Sequence, residues 1–439
     1  MSDDANQPVR TEPPDRREDA VTVVGALRDA GHVAFFAGGC VRDELLGLTP
    51  QDYDVATDAP PDRVRKLFPR TQAVGAAFGV ILVRQGRSVI EVATFRADEA
   101  YLDGRRPSGV RFTSAEEDAQ RRDFTINGLF LDPLDGNRVI DHVGGAADLS
   151  AKILRAIGEP RQRFAEDYLR MLRAPRFAAR FDLTIEPHTR RAIVEHADRL
   201  AEISPERIND ELQRMLTPPT RDRAWQLLWD LRLVSVIFRF LPERAVEPAG
   251  RGTMLFPRVA VGAAISPALA LASAGLCYRR QASAQRVARE LLVYKEVATL
   301  ARALRRALRL SNDDDAGVAN VLRVHQLLTD AEPPVAVLKR FLAQSHSGES
   351  RLLLDALAEV EPALAARIAW LRARLGELEK TDYAPPPLVT GDDLVAAGAA
   401  PGPAFKTALA RAYDEQLEGR LTDKPQALRY AMGLLQPGA

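Results

Sequence analysis

The chain has 439 residues, 46% hydrophobic and 27% charged, which is the balance of an ordinary globular protein with roughly two to four structural units. Its formal net charge of +0 excludes a global field for nucleic acid, so any such surface must be a local basic patch. Cys40 and Cys277 stand far apart and outside any metal-ligand spacing, which excludes a disulfide scaffold or a zinc module and fits a reducing cytoplasm.

Residues 1–18 are polar, charged and rich in Pro, and read as a disordered leader without the apolar core of a signal peptide. From 19 to 145 the pattern alternates short helices with β-branched strands, as in an α/β layer. Residues 20–30 form a predicted helix closed by Gly31, followed by a strand at 33–36 and a helix at 41–46. A strand is expected at 53–56, and Pro60 and Pro61 open a helix that ends near Phe68. The runs 80–83 and 88–94 flank Gln85-Gly86-Arg87 and read as a hairpin.

After Gly145 nearly everything reads as amphipathic helix, broken at Pro218-Pro219, Pro333-Pro334 and 385–387. The charge-free run 259–278 is long enough to span a bilayer. Its Ala-rich composition and Pro267 favour two short buried helices broken at that proline.

Gln51-Asp52-Tyr53-Asp54-Val55 places two carboxylates at i and i+2 on a predicted strand, where period-2 geometry turns both to one face. Adjacent anions need a cation, and a pair of Mg²⁺ ions is the usual answer in phosphoryl chemistry. Upstream, Gly38-Gly39-Cys40-Val41-Arg42-Asp43 is a strand-to-helix turn. Its glycines let the backbone approach a phosphate, and Arg42 adds a fixed positive charge. Glu91 is the one carboxylate in the apolar strand 89–95, where an unpartnered buried charge is costly. It makes sense as a third metal ligand beside Asp52 and Asp54.

Gly-Gly-x-Val-Arg-Asp at 38–43, Asp-x-Asp at 52–54 and Glu-Val-Ala-Thr-Phe-Arg at 91–96 together resemble the class II CCA-adding enzymes and bacterial poly(A) polymerases. The resemblance implies an α/β polymerase-β-type nucleotidyltransferase head followed by an all-α neck, body and tail. The expected boundaries are 19–145 for the catalytic head, 146–216 for the neck, 217–330 for the body and 331–439 for a tRNA-binding tail. It also implies that Asp52 and Asp54 bind metal, with Glu91 completing the carboxylate set, around two Mg²⁺ ions.

Arg121-Arg122-Asp123-Phe124-Thr125-Ile126-Asn127-Gly128 is similar to the family's ribose-recognition motif. The resemblance implies nucleotide-binding roles for Gly38, Gly39, Arg42, Arg122, Asp123 and Asn127. Asp123 can accept from a ribose 2′-hydroxyl and Arg122 can hold a phosphate. The family usually has Ala where Gly128 stands, a departure expected to loosen local helix packing only. The segment 141–152 resembles the hinge between head and neck, with Gly144-Gly145 as its source of backbone freedom. The charged stretch between Arg96 and Ala119, with Asp103-Gly104-Arg105-Arg106-Pro107 in it, matches the position of a flexible loop that helps switch specificity in the family.

On the next expected helix, Asp167, Arg170, Arg173 and Arg176 recur every three residues and look like the family's protein template for nucleotide choice. Cytosine and adenine each offer an amino donor beside a ring-nitrogen acceptor, which a carboxylate (Asp167) and a guanidinium (Arg170) match. Arg173 and Arg176 would reach the triphosphate or help orient the base, and Pro175 suggests a kink beyond the template pair.

Near the end, the segments 388–394, 398–403 and 416–419 again look like CCA-adding tails. No His–Asp dyad occurs among the six histidines, so the phosphohydrolase domain of some relatives is not indicated. The expected function is template-independent addition of C and A to tRNA 3′ ends from CTP and ATP, in the cytoplasm, with no membrane segment and no obligate protein partner. The alternatives are CC-only or A-only addition, or a poly(A) polymerase. That last group resembles Gly-Arg-Arg-Phe-Arg where this chain has Val74-Gly75-Ala76-Ala77-Phe78-Gly79, which favours tRNA.

Overall fold

A computed structural model of the chain describes residues 15–75, 79–98, 109–239, 258–279, 294–329, 332–360 and 362–435. The chain divides into two units, one of residues 1–203 with 231–233, the other of 204–230 with 234–439.

The first unit is built on a seven-stranded mixed sheet. Its strands are β1 (Ala34–Ala37), β2 (Asp54–Thr57), β3 (Thr71–Gly75), β4 (Val80–Gln85), β5 (Ser88–Thr94), β8 (Leu129–Asp132) and β9 (Arg138–Asp141), in the order β3-β4-β5-β2-β1-β8-β9. The pair β2–β5 is parallel and the other pairings are antiparallel. A separate ribbon joins β6 (Arg96–Asp98) to β7 (Val110–Phe112).

Three helices cover one face of this sheet: α1 (Arg16–Asp29), α2 (Gly39–Leu45) and α3 (Pro61–Leu67). Asp15 caps α1 by accepting from the N–H groups of Arg17 and Glu18, both at 3.1 Å. Residues 16–18, read from the sequence as leader, therefore belong to the head. Ala20, Val23, Val24 and Leu27 of α1 are fully buried against Val55, Ile81, Val83, Ile90 and Val92. Burial on this scale contributes about 1.5–3 kcal/mol for each large aliphatic side chain. A second, smaller cluster gathers Ala37, Ala56, Phe95, Ala119 and Phe130.

Four helices follow in the same unit: α4 (Ala115–Gln120), α5 (Gly145–Ser150), α6 (Pro160–Glu166) and α7 (Leu169–Arg180), with α8 (Pro187–His196) after them. The region is not purely helical, because β10 (Ile153–Leu154) pairs in parallel with β11 (Thr184–Ile185). The segment expected to supply freedom around Gly144-Gly145 is instead tightly tied. Asp141 accepts from the N–H groups of Val143, Gly145 and Ala146, and a side chain at Gly145 would lie 2.1 Å from the Thr125 carbonyl oxygen.

The second unit is helical: α9 (Pro205–Leu216), α10 (Arg221–Asp230), α11 (Leu233–Ile237, at its edge), α12 (Pro267–Arg279), α13 (Tyr294–Leu308) and α14 (Asn312–Leu322), then further helices from Val324–Thr329 to Lys424–Gly433. The apolar run 259–278 is a stretch of turns followed by one helix, not two, because Pro267 begins α12 instead of separating a pair. Among the described residues no helix is long and apolar enough to cross a membrane. Toward the C-terminus the extended segment 385–388 is fixed to the helix Pro403–Leu417, whose Gln416 Oε1 accepts from Leu388 N–H at 2.9 Å. Tyr413 donates there to the Pro385 carbonyl at 2.9 Å.

Candidate active site

The acidic cluster differs in detail from its expected form. Strand β2 begins at Asp54, so Asp52 lies in the approach to the strand instead of on it. The Asp52 side chain is 80% exposed and pairs with Arg16 at 2.9 Å. Asp54 stands directly opposite Glu91 in the parallel β2–β5 register, which puts the two on the same face. Glu91 is not a buried charge in a core strand. Strand β5 alternates, burying Ser88, Ile90, Val92 and Thr94 and exposing Val89 and Glu91. Its significance is thus its register with Asp54.

Burial pushes the Asp54 carboxyl up to about 6, and the charges of Glu91 and Asp52 add to the rise while Arg122 opposes it. Three carboxylates that act on one another in this way fit a cation chemically. The structure does not gather them at ligand distance, since among the described residues no group of three acidic, His or Cys side chains is so arranged.

At the end of β1 the chain turns through Gly38, whose φ of 70° favours glycine. A Cβ there would lie 2.7 Å from Nη1 of Arg122, whereas one at Gly39 would meet Arg42 Nη2 at an ordinary 3.7 Å. Gly38→Ala is therefore expected to destabilise the head by about 1–3 kcal/mol and to lower activity, while Gly39→Ala folds normally. Equal thermal midpoints for the two variants would contradict this reading of the turn.

Arg42 is buried, at 5% exposure, and is not an exposed phosphate hand. Its Nε and Nη2 donate to Asp43 Oδ1 at 2.9 and 2.6 Å, Nη1 donates to Asn127 Oδ1 at 2.5 Å, and the guanidinium lies 4.2 Å from the Phe181 ring centroid. Burial lowers its pKa against the opposing pull of Asp43. Beside it Cys40 is enclosed, and burial pushes its thiol up to about 12. An ordinary thiol is half ionised near pH 8.5, so Cys40 stays protonated there. Alkylation by iodoacetamide at pH 8.5, mapped to the Cys40 peptide, is expected only after unfolding.

The run 121–128 is no helix start. Thr125–Asn127 is one 3₁₀ turn, Gly128 closes it and β8 follows, so the glycine loosens no helix. Asp123 is buried, and its Oδ1 accepts from Phe124 N–H at 2.8 Å and from Asn127 Nδ2 at 3.0 Å. Its Oδ2 lies 3.0 Å from Arg173 Nη2 yet accepts no well-formed hydrogen bond among the described residues. Burial alone would raise this carboxyl, but Arg173 and the two donors outweigh it and hold it below the usual range. Arg122 pairs with the buried Asp118 at 3.0 Å and donates to the Asn127 carbonyl at 3.0 Å. A chain of contacts thus runs from Arg42 through Asn127 and Asp123 to Arg173.

The expected four-residue stripe is split. Helix α6 ends at Glu166 and α7 begins at Leu169, so the interruption falls at Asp167–Tyr168, while α7 continues through Pro175. Asp167 accepts from Leu169 N–H at 3.0 Å, an Asx-type start for α7. Arg170, buried at 8% exposure, donates to the Arg163 carbonyl at 2.9 Å, to the Arg121 carbonyl at 3.2 Å, and to Glu166. Arg163 grips the same corner through the Gln120 carbonyl at 2.6 Å and the Arg121 carbonyl at 3.1 Å. Two cations thereby cap the C-terminus of α4, immediately before Asp123. Arg176 lies 4.2 Å from the Phe177 ring centroid, where Arg42 and Arg173 also approach, each at 5.4 Å.

Sequence reasoning missed Arg16, Asp118, Arg163 and Glu166. The i, i+3 and i, i+4 spacing of Arg163, Glu166 and Arg170 was a readable signal, whereas Arg16 beside Asp52 was not. Of the expected specificity loop between Arg96 and Ala119, residues 99–108 lie outside the described residues, as do 76–78, and the flanks of the loop are β6, β7 and the start of α4.

Residues 34–155 match the poly A polymerase head domain, and residues 182–244 match the probable RNA and SrmB-binding site of polymerase A. The chain is 42% identical over 226 residues to the CCA-adding enzyme of Bacillus subtilis (strain 168), an alignment covering 51% of this chain and 56% of that one. It is 41% identical over 230 residues to the CCA-adding enzyme of Streptococcus mutans, covering 52% and 56%. The matches thus span little more than half the length of these relatives. In three dimensions it resembles the Bacillus stearothermophilus CCA-adding enzyme solved with CTP, at a TM-score of 0.70 and 28% identity, over 96% of this chain and 98% of the other. The Thermotoga maritima CCA-adding enzyme solved with tRNA has the same fold, at a TM-score of 0.59 and 19% identity over 98% and 97%. The polymerase-β-type head with a helical extension, read first from motifs, is therefore the fold of this chain, and the resemblance to CCA-adding enzymes holds.

Proposed function

We propose that this chain adds C and A nucleotides to the 3′ end of tRNA from CTP and ATP without a nucleic-acid template, releasing pyrophosphate. One observation supports the reading most directly. Arg122, whose charge opposes the rise of the Asp54 carboxyl, also holds Asp118 and donates to the Asn127 carbonyl, which supports taking the acidic strand end and the Asp123 corner as parts of one site.

Asp54 and Glu91, with Asp52 once turned from Arg16, are the residues to hold divalent cations. Two Mg²⁺ ions bound there would supply Lewis acidity toward the RNA 3′-hydroxyl and the triphosphate. The hydroxyl oxygen forms the new bond to the α-phosphorus as the α–β phosphoanhydride breaks. Asp123 Oδ2, buried and without a well-formed hydrogen bond, suits a ribose 2′-hydroxyl donor. Arg173 and Arg176, half-exposed around Phe177, suit the triphosphate. Arg42 and Asn127 act on the nucleotide indirectly, by positioning Asp123.

Asp167 and Arg170 select the base, Asp167 accepting the exocyclic amino group of cytosine or adenine and Arg170 donating to the ring nitrogen. The contacts of Arg170 to Glu166 and two carbonyls orient it before any nucleotide binds. The test is competition among the four labelled triphosphates on a tRNA transcript lacking its 3′ end. The wild type should take CTP and ATP, and Arg170→Ala should narrow the preference over UTP and GTP by about tenfold or more. The ratio is the readout, since losing Arg170 also loosens the α4 corner and slows every nucleotide. Unchanged ratios in the variant would sink the base-reading role.

A further inference from the structure

The zero net charge means that attraction to RNA must come from a local cluster, and the second unit holds one on α13. Arg302, Arg305 and Arg306 fall at i, i+3 and i+4, the spacing of a single helix face, Arg309 follows one residue past the helix end, and all four are exposed. The other face, with Leu300, Leu304 and Leu308, is buried, so the helix cannot turn the arginines inward. With Leu310 they line an open recess of about 510 Å³.

Like charges at this spacing repel one another, which a surface needing only solubility would avoid by alternating signs. Two of the four are neutralised, Arg305 by Asp315 at 2.6 Å and Arg309 by Glu206 at 2.8 Å. Arg302 and Arg306 form no ion pair with the described residues, Arg302 making only a 3.4 Å bond to Thr299 Oγ1. Arg309 also sits just past the helix end with φ 47°, a left-handed position that favours glycine. Its partner Glu206 belongs to α9, inside the stretch that matches the RNA-binding family.

We infer that this stripe is a phosphate-binding surface for the RNA substrate, contacting its sugar-phosphate backbone away from the 3′ end, with Arg302 and Arg306 making the principal contacts. The inference rests on the proposed RNA-extending function and adds to it where the helical unit holds that RNA. Guanidinium forks match phosphate oxygens, and a row of them along α13 and its end tracks a backbone without reading sequence.

The experiment measures binding of a tRNA transcript by fluorescence anisotropy across a salt series, alongside CTP incorporation at saturating RNA. Each phosphate contact contributes about 0.9 to the slope of log affinity against log salt, or about eightfold in affinity near 0.1 M. R302Q/R306Q should therefore raise Kd by tens of fold and flatten the slope by about 1.8, with the saturated incorporation rate unchanged. R302K/R306K should recover most of the slope. A variant that melts like wild type yet keeps its Kd or its slope overturns the inference. That outcome leaves the tRNA-extension reading intact, because whether the wild-type chain incorporates CTP and ATP is scored separately.

Discussion

Asp54→Asn is expected to abolish nucleotide incorporation, by at least about a thousandfold or ~4 kcal/mol of transition-state stabilisation, while tRNA binding changes less than about twofold. The carboxylate faces Glu91 across paired strands, and in the proposed reaction it would hold cations, not RNA. The same variant should be more stable in metal-free buffer. The folded Asp54 carboxyl sits at about 6, above the usual carboxylate range, so the native state binds more protons than the unfolded chain and stability falls as pH rises through that interval. Above it the ionised side chain is a liability, which Asn removes. A gain on the order of 1–2 kcal/mol near pH 7, shrinking below pH 4, is the expected signature. Retained activity would end the acidic-site assignment, and a lower midpoint than wild type at pH 7 would contradict the electrostatic account of Asp54.

Arg221→Ala is expected to cost the second unit about 3–5 kcal/mol, among the largest effects of any change outside the site. Arg221 is 2% exposed, and among the described residues no carboxylate pairs with it. Its guanidinium donates to the carbonyls of Leu216 at 3.2 Å, Thr217 at 3.3 Å, Val259 at 3.1 Å and Ala260 at 3.3 Å, and also to that of Ala263. It thereby joins the end of α9 to the turns that precede α12. Removing it leaves the buried Leu216 and Val259 carbonyls without this donor and unties the more exposed Thr217, Ala260 and Ala263 carbonyls, and Arg221→Lys, with a single ammonium, reaches too few of them. Urea unfolding followed by fluorescence of the buried Trp225 measures the loss. A shift under 1 kcal/mol would show that the turns at 259–263 are held by something else.

What the sequence revealed and concealed follows from locality. The turn at Gly38 and the hairpin across Gly86-Arg87 were readable because a few consecutive residues determine them, whereas the strand expected to carry both Asp52 and Asp54 begins only at Asp54. The pairing of Asp54 with Glu91 is set by parallel strand register, which joins segments far apart in the chain, and so the alternation that exposes Glu91 went unread. The burial of Arg42 could not be read from the sequence, because two of its partners, Asn127 and Phe181, reach it only in three dimensions. The regular spacing of Asp167, Arg170, Arg173 and Arg176 suggested one helix, yet Asp167 binds the Leu169 N–H and ends the preceding turn. In 259–278, composition conveyed burial but not that Pro267 opens the helix.

Whether the chain completes tRNA 3′ ends is decided by incorporation from each labelled triphosphate, with Mg²⁺, on tRNA transcripts ending before the first C and after CC, beside an unrelated oligoribonucleotide. The expected result is C and A addition to the tRNA transcripts that stops once CCA is complete, with the unrelated RNA left alone. Stopping after CC, or acting only on the transcript that already ends in CC, would narrow the activity to one step of the same reaction. Long A tracts on the unrelated RNA, or no incorporation anywhere, would contradict it.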